Sequence, residues 1–286
     1  MKNKLPSIIF FLFGFYTQAQ SSTEIYVFDF KNTDEKITLT NPVNISDNEG
    51  YDSQPFFLPN VDEILFSSNR NGQTDLVKYS LKTNQKEWLI NTSASEYSPT
   101  LTPQNDAVSY IKLEENGTQL LWSFDLKTQK ETILIPDLKI GYHVWFDENT
   151  IVSFVLGEPN TLQISDLNSK THQIVSQQIG RSLHKTPHQK LISFVSKSDS
   201  IWSINSLNPL NGEIKLITKI PFQIEDLTWT PDGKILISNN DALFLYEPDT
   251  KNWKEVVTLK PFNLSGITRL AVSSNGKKIA LVVQGK

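Results

Sequence analysis

Short β-branched and aromatic runs, each entered through a polar turn, return along this chain at a nearly fixed interval. The turns are Leu58-Pro59-Asn60, Thr102-Pro103-Gln104, Phe146-Asp147-Glu148, Thr186-Pro187-His188, Thr230-Pro231-Asp232-Gly233 and Ser273-Ser274-Asn275-Gly276, so that their central residues step by 44, 44, 40, 44 and 43 positions. The runs behind them include Ile64-Leu65-Phe66, Val108-Ser109-Tyr110-Ile111, Ile151-Val152-Ser153-Phe154-Val155, Ile192-Ser193-Phe194-Val195, Ile235-Leu236-Ile237 and Ile279-Ala280-Leu281-Val282-Val283. Runs of this composition predict strands covered on both faces.

A third strand follows a polar loop and ends as Tyr79-Ser80-Leu81, Phe124-Asp125-Leu126, Ser165-Asp166-Leu167 or Tyr246-Glu247-Pro248. A fourth follows as Glu87-Trp88-Leu89-Ile90, Glu131-Thr132-Ile133-Leu134, Gln173-Ile174-Val175 or Lys254-Glu255-Val256-Val257. Four-stranded meanders of roughly 40 to 45 residues are propeller blades, because a small twisted sheet covers both faces only by stacking on neighbours around a ring. The last unit stops after two strands, but Ile25-Tyr26-Val27-Phe28-Asp29-Phe30 repeats the third-strand pattern and Lys36-Ile37-Thr38-Leu39 the fourth. The sequence therefore predicts an all-β, six-bladed β-propeller over 20–286, with four antiparallel strands per blade and the N- and C-terminal strands sharing the last blade. Tandem β-sandwiches give no reason for a constant step.

Ahead of the propeller, Lys2 and Lys4 precede an apolar run from Ile8 to Tyr16 and then Thr17-Gln18-Ala19. This is the layout of a secretory signal peptide, 1–19, cleaved after Ala19, which places the mature chain in the periplasm or outside the cell. The run falls well short of the ~20 apolar residues that span a bilayer, and no later segment reaches that length.

The composition narrows the chemistry. The 286 residues carry a formal net charge of -4 with no long run of one sign, which argues against nucleic acid as a partner. Cysteine is absent, which removes disulfides, thiolate metal sites and cysteine nucleophiles.

Phe66-Ser67-Ser68-Asn69-Arg70-Asn71-Gly72, continuing into Asp75-Leu76-Val77-Lys78-Tyr79, and Trp229-Thr230-Pro231-Asp232-Gly233-Lys234-Ile235 resemble the repeat of TolB-like propellers, a WD-like repeat family of bacterial envelope and secreted proteins. The resemblance extends over essentially the whole mature chain. It implies a binding platform; in TolB the propeller docks a peptidoglycan-associated lipoprotein, behind a separate N-terminal domain that the predicted cleavage site leaves no room for here. The partner so implied is a protein or glycan of the cell envelope, bound by a monomer.

Motifs for catalysis are wanting. Gly180-Arg181-Ser182-Leu183-His184 lacks the closing glycine of a nucleophile elbow and leads into a strand. His143 falls where the other repeats carry Pro55, Pro99, Leu183, Leu227 and Leu270, a packing position, and His184 lies on the next blade's first strand. Asp47-Asn48-Glu49-Gly50-Tyr51-Asp52 has oxygen ligands without EF-hand spacing and reads as a solvated loop between blades. The sequence thus implies no cofactor, no metal and no catalytic residues. The competing readings are a hydrolase or lactonase-type propeller with an oxygen-ligated metal, and a scaffold subunit marked by a large apolar surface patch.

Propellers bind at a channel mouth, where loops vary without disturbing the blades. Aligned repeats put Gln54, Ser98, Tyr142, Ser182, Asp226 and Arg269 at one equivalent position, with Asp52, Glu96, Tyr97, Arg181 and Glu225 just before it. Arg70, on a loop between second and third strands, joins the predicted ligand-binding set of Asp52, Gln54, Arg70, Glu96, Tyr97, Tyr142, Arg181, Glu225, Asp226 and Arg269.

Overall fold

The computed structural model of the chain describes residues 22–33, 36–59, 62–90 and 92–285. The predicted signal peptide lies outside the described residues. The chain opens with β1 (Thr23–Asn32) and β2 (Ile37–Asn44), then lays down five complete blades. The first is β3 (Asp52–Phe57), β4 (Glu63–Arg70), β5 (Gln73–Ser80) and β6 (Gln85–Trp88); the second is β7 (Ser95–Leu101), β8 (Ala107–Leu113), β9 (Gln119–Asp125) and β10 (Glu131–Ile135). The third is β11 (Ile140–Trp145), β12 (Thr150–Val155), β13 (Thr161–Asp166) and β14 (Thr171–Gln177). The fourth is β15 (Ile179–Lys185), β16 (Ile192–Ser196), β17 (Ser203–Asn208) and β18 (Glu213–Lys219), and the fifth β19 (Leu227–Trp229), β20 (Ile235–Asn239), β21 (Ala242–Glu247) and β22 (Asn252–Thr258). A 3-10 turn, Lys260–Phe262, then leads to β23 (Arg269–Val272) and β24 (Lys278–Gln284).

The chain ends meet in the sixth blade. Its strand order is β2-β1-β24-β23, and β1 runs antiparallel to β24 with Ile25 opposite Val282 and Phe28 opposite Ile279. The terminal strands thus pair with each other, leaving this blade only the short inner and outer edges that every blade has. Among the described residues no helix is long and apolar enough to cross a membrane.

Hydrophobic burial holds the ring together between blades. Six apolar clusters occupy the six junctions: Phe28, Leu245 and Ile279 join the fifth blade to the shared one, and Ile25, Phe66 and Val77 join the shared blade to the first. Second strands supply most of this core, since Ile64, Leu65 and Phe66 on β4 and Ile279 through Val283 on β24 are all essentially inaccessible. Fourth strands form the rim; all four residues of β6 are exposed. In the fourth blade, β17 buries Ile204 and Leu207, while Glu213 through Leu216 of β18 are exposed.

The inner strands β3 and β7 each carry a bulge, between Ser53 and Phe56 and between Tyr97 and Thr100. Gln54 and Ser98 sit there with φ of 58° and 55°. A bulge re-aims its side chain, and both residues turn toward the ring axis.

Candidate functional site

The inner strands enclose an axial channel of about 460 Å³. All six residues that the repeat alignment places at one level, Gln54, Ser98, Tyr142, Ser182, Asp226 and Arg269, line it. So do the six one position further along, Pro55, Pro99, His143, Leu183, Leu227 and Leu270. The wall is thus a polar ring at one mouth with a largely apolar ring directly beneath it.

The polar ring is a connected network. Asp226 accepts from Arg181 Nη2 at 2.7 Å and from Arg269 Nη1 at 2.6 Å, so one carboxylate joins two guanidinium groups. Arg269 Nη2 donates to the Tyr142 hydroxyl at 2.7 Å, and Gln54 Nε2 reaches the same oxygen at 3.5 Å. Gln54 is held in turn, its Oε1 accepting from Ser67 Oγ at 2.8 Å and from the Ser98 N–H at 2.9 Å. Glu225 accepts from the Arg181 N–H at 3.3 Å and from Lys197 Nζ at 2.5 Å. Burial alone would lower the Arg181 pKa; the hydrogen bond and charge of Asp226, with Glu225 behind it, outweigh burial and hold it above its ordinary value.

Below this ring the histidines are neutral. Burial pushes His143 down to about 3 and His184 to about 4, the latter against the opposing charge of Asp226. His184 Nε2 lies 2.9 Å from Ser182 Oγ. Ser109 Oγ meets Trp145 Nε1 at 2.8 Å, His143 Nε2 at 2.7 Å and the Thr100 carbonyl at 3.1 Å. A hydroxyl has one proton and two lone pairs, so all three are satisfied when Trp145 and His143 Nε2–H donate and Ser109 gives its proton to Thr100. Trp229 Nε1 repeats the contact on Ser193 at 2.8 Å. Ser153, the equivalent serine between these two, has no partner for its buried Oγ among the described residues. Ser109→Ala is expected to cost about 1 to 2 kcal/mol by stranding two buried donors, while Ser153→Ala is neutral or mildly stabilising. Urea midpoints of the two variants check this.

The remaining predicted residues lie apart from the channel. Asp52 and Glu96 are wholly buried between blades. Arg70 Nε and Nη2 clasp Asp75 at 2.7 and 2.9 Å, with the guanidinium 5.4 Å above the Trp88 ring. Burial pushes the Glu96 carboxyl up, against the Thr92 hydroxyl bond and with the Asp75 charge beside it. Tyr97 is half-buried, edge-on to Tyr51 at 6.3 Å. Lys185, at the step that Trp229 occupies in the next blade, lines the channel and was visible to the same repeat alignment. Among the described residues no three His, Cys, Asp or Glu side chains converge to hold a metal ion. Exposed Ile174 and Leu216 lie on the outer strands β14 and β18.

No protein-family model matches the chain, and no curated protein matches it in sequence. Solved structures do match. The structure assigned as TolB from Agrobacterium tumefaciens superposes with a TM-score of 0.71 at 14% identity, covering 93% of this chain and 99% of that one. This chain has the TolB-like six-bladed propeller fold. TolB from Acinetobacter baumannii is similar with a TM-score of 0.57 at 14% identity, over 93% of this chain and 65% of that one. An oligogalacturonate lyase in complex with manganese is also similar, with a TM-score of 0.60 at 13% identity, over 88% of this chain and 83% of that one.

Proposed function

We propose that this TolB-like propeller is an exported binding module that engages a protein or glycan of the cell envelope through the channel mouth bearing Arg181, Asp226, Arg269 and Tyr142. The observation that carries the reading is the network itself. Two arginines, a carboxylate, a tyrosine and a glutamine from five different blades interlock at one end of the axis, far more polar order than a structural plug needs. Their mutual hydrogen bonds fix the donors before any partner arrives, which limits the entropy lost on association. The likeness to two TolB structures supports a platform role, and the signal-peptide pattern supports a place in the periplasm or outside the cell.

Arg181 is the residue to test, because its side chain is 36% exposed while Arg269 and Asp226 are mostly covered. Arg181→Glu on immobilised protein is expected to reduce capture from an envelope extract at least tenfold, whereas Lys190→Glu at the other end of the ring leaves it unchanged. Equal capture by wild type and Arg181→Glu removes this mouth from the proposal.

A further inference from the structure

The channel beneath the polar ring has its own chemistry, distinct from that of a flat docking surface. Its charged lining is Arg181, Lys185 and Arg269 against Asp226 alone, two net positive charges inside a chain whose formal net charge is -4. A concentration of one sign in a low-dielectric cleft focuses the field and draws in the opposite charge. Two donors at the mouth are unspent. Arg181 uses Nε, Nη2 and its backbone N–H but makes no hydrogen bond through Nη1 among the described residues. The Tyr142 oxygen accepts from Arg269 and Gln54, and its own proton has no acceptor there. Directly below, Pro55, Pro99, Leu183, Leu227 and Leu270 present apolar walls.

A site with free, preorganised donors at its rim and hydrocarbon beneath matches a molecule with an anionic head and an apolar body. The volume, about 460 Å³, is of the size that encloses a small organic ligand. We infer that the channel binds a carboxylate carried on an apolar chain, its head between Arg181 and the Tyr142 hydroxyl and its body along the proline and leucine walls. An inorganic anion leaves the walls unused, and a neutral apolar molecule leaves the donors unpaired. The source of that chemistry is a free aliphatic acid or the C-terminal residue of an apolar peptide.

This inference rests on the same mouth as the partner reading, and the two fail separately, since ligand titration uses purified protein alone and partner capture uses extract. Calorimetric titration with butyrate, hexanoate and octanoate, each beside its amide, reads out both halves of the site. Acids are expected to bind about 10- to 100-fold more tightly than their amides, the span for hydrogen bonds to a charged group. Each added methylene tightens binding roughly fourfold until the channel is full, as burial of ~0.8 kcal/mol per methylene requires. Arg181→Gln, which leaves Asp226 paired with Arg269 and the fold intact by thermal melt, brings the acids down to the level of the amides. N-acetyl-leucyl-leucine against its amide covers the peptide source, and a preference there with none among the fatty acids assigns the carboxylate to a chain end. Equal affinity of acid and amide overturns the inference. So does binding of acetate or phosphate as tight as octanoate, or no binding by any acid in the low-millimolar range.

Discussion

Asp226→Asn is expected to lower the stability of the ring by about 3 kcal/mol, more than any other single change at the channel mouth. The carboxylate accepts from Arg181 and Arg269 at once, with Arg269 and Asp226 only 12% and 14% exposed. Removing one partner of a covered ion pair costs much more than the pair itself contributes, because the remaining charges have lost both water and counter-charge. Here two guanidinium groups, drawn together from β15 and β23, are left facing a neutral amide: covered Arg269 loses its carboxylate, while Arg181, 36% exposed, keeps Glu225 at 3.9 Å. At about 2 to 4 °C per kcal/mol for a chain of this size, the melting temperature falls by roughly 6 to 12 °C. Adding Arg181→Gln relieves the repulsion, so the double variant is expected to melt above Asp226→Asn alone. Differential scanning calorimetry of the three proteins decides the matter; an unchanged melting temperature in Asp226→Asn means that water screens the three charges from one another.

The same triad shows what repeat arithmetic reaches. Residues 54, 98, 142, 182, 226 and 269 share a level in the ring because each blade places its inner strand at the same phase of a step near 44. Charge and identity along that level were therefore readable without coordinates, as were the blade count and the closure through Ile25 and Val282. The phase fails two residues earlier in the first two blades. Asp52 and Glu96 precede Gln54 and Ser98 by two positions, and the bulges at Gln54 and Ser98 reverse the sense in which those strands face. Side chains expected beside the channel are turned between blades instead. Nothing in the local sequence announces a bulge at a glutamine or serine, residues that seldom adopt positive φ. The free ends of Arg181 and Tyr142 were likewise invisible, since they depend on which donors their neighbours already occupy.

Asp52 makes the stability of the chain depend on pH. It is inaccessible to solvent, and burial raises its pKa from 3.8 to about 7, against the Ser68 hydrogen bond and with the charge of Glu24 reinforcing the rise. Protonated, it closes a ring of bonds: Asp52 donates to Ser68 Oγ, Ser68 Oγ donates to Asn48 Oδ1 at 3.3 Å, and Asn48 Nδ2 donates to the second Asp52 oxygen at 2.8 Å. A carboxyl that holds its proton more tightly when folded contributes stability that is complete below pH 3.8 and is lost as pH rises through about 7. At about 1.4 kcal/mol per pH unit, the loss across that window is roughly 4 kcal/mol. Asp52→Asn supplies a permanent donor to Ser68 in the same shape, so it is expected to match wild type near pH 4 and to exceed it by up to roughly 4 kcal/mol at pH 8. Urea denaturation of both proteins across that range isolates the one carboxyl, because every other titrating group is common to the two. A difference that stays flat with pH places the ionised form of Asp52 in the native blade, held by Ser68, Asn48 and the nearby charge of Lys86.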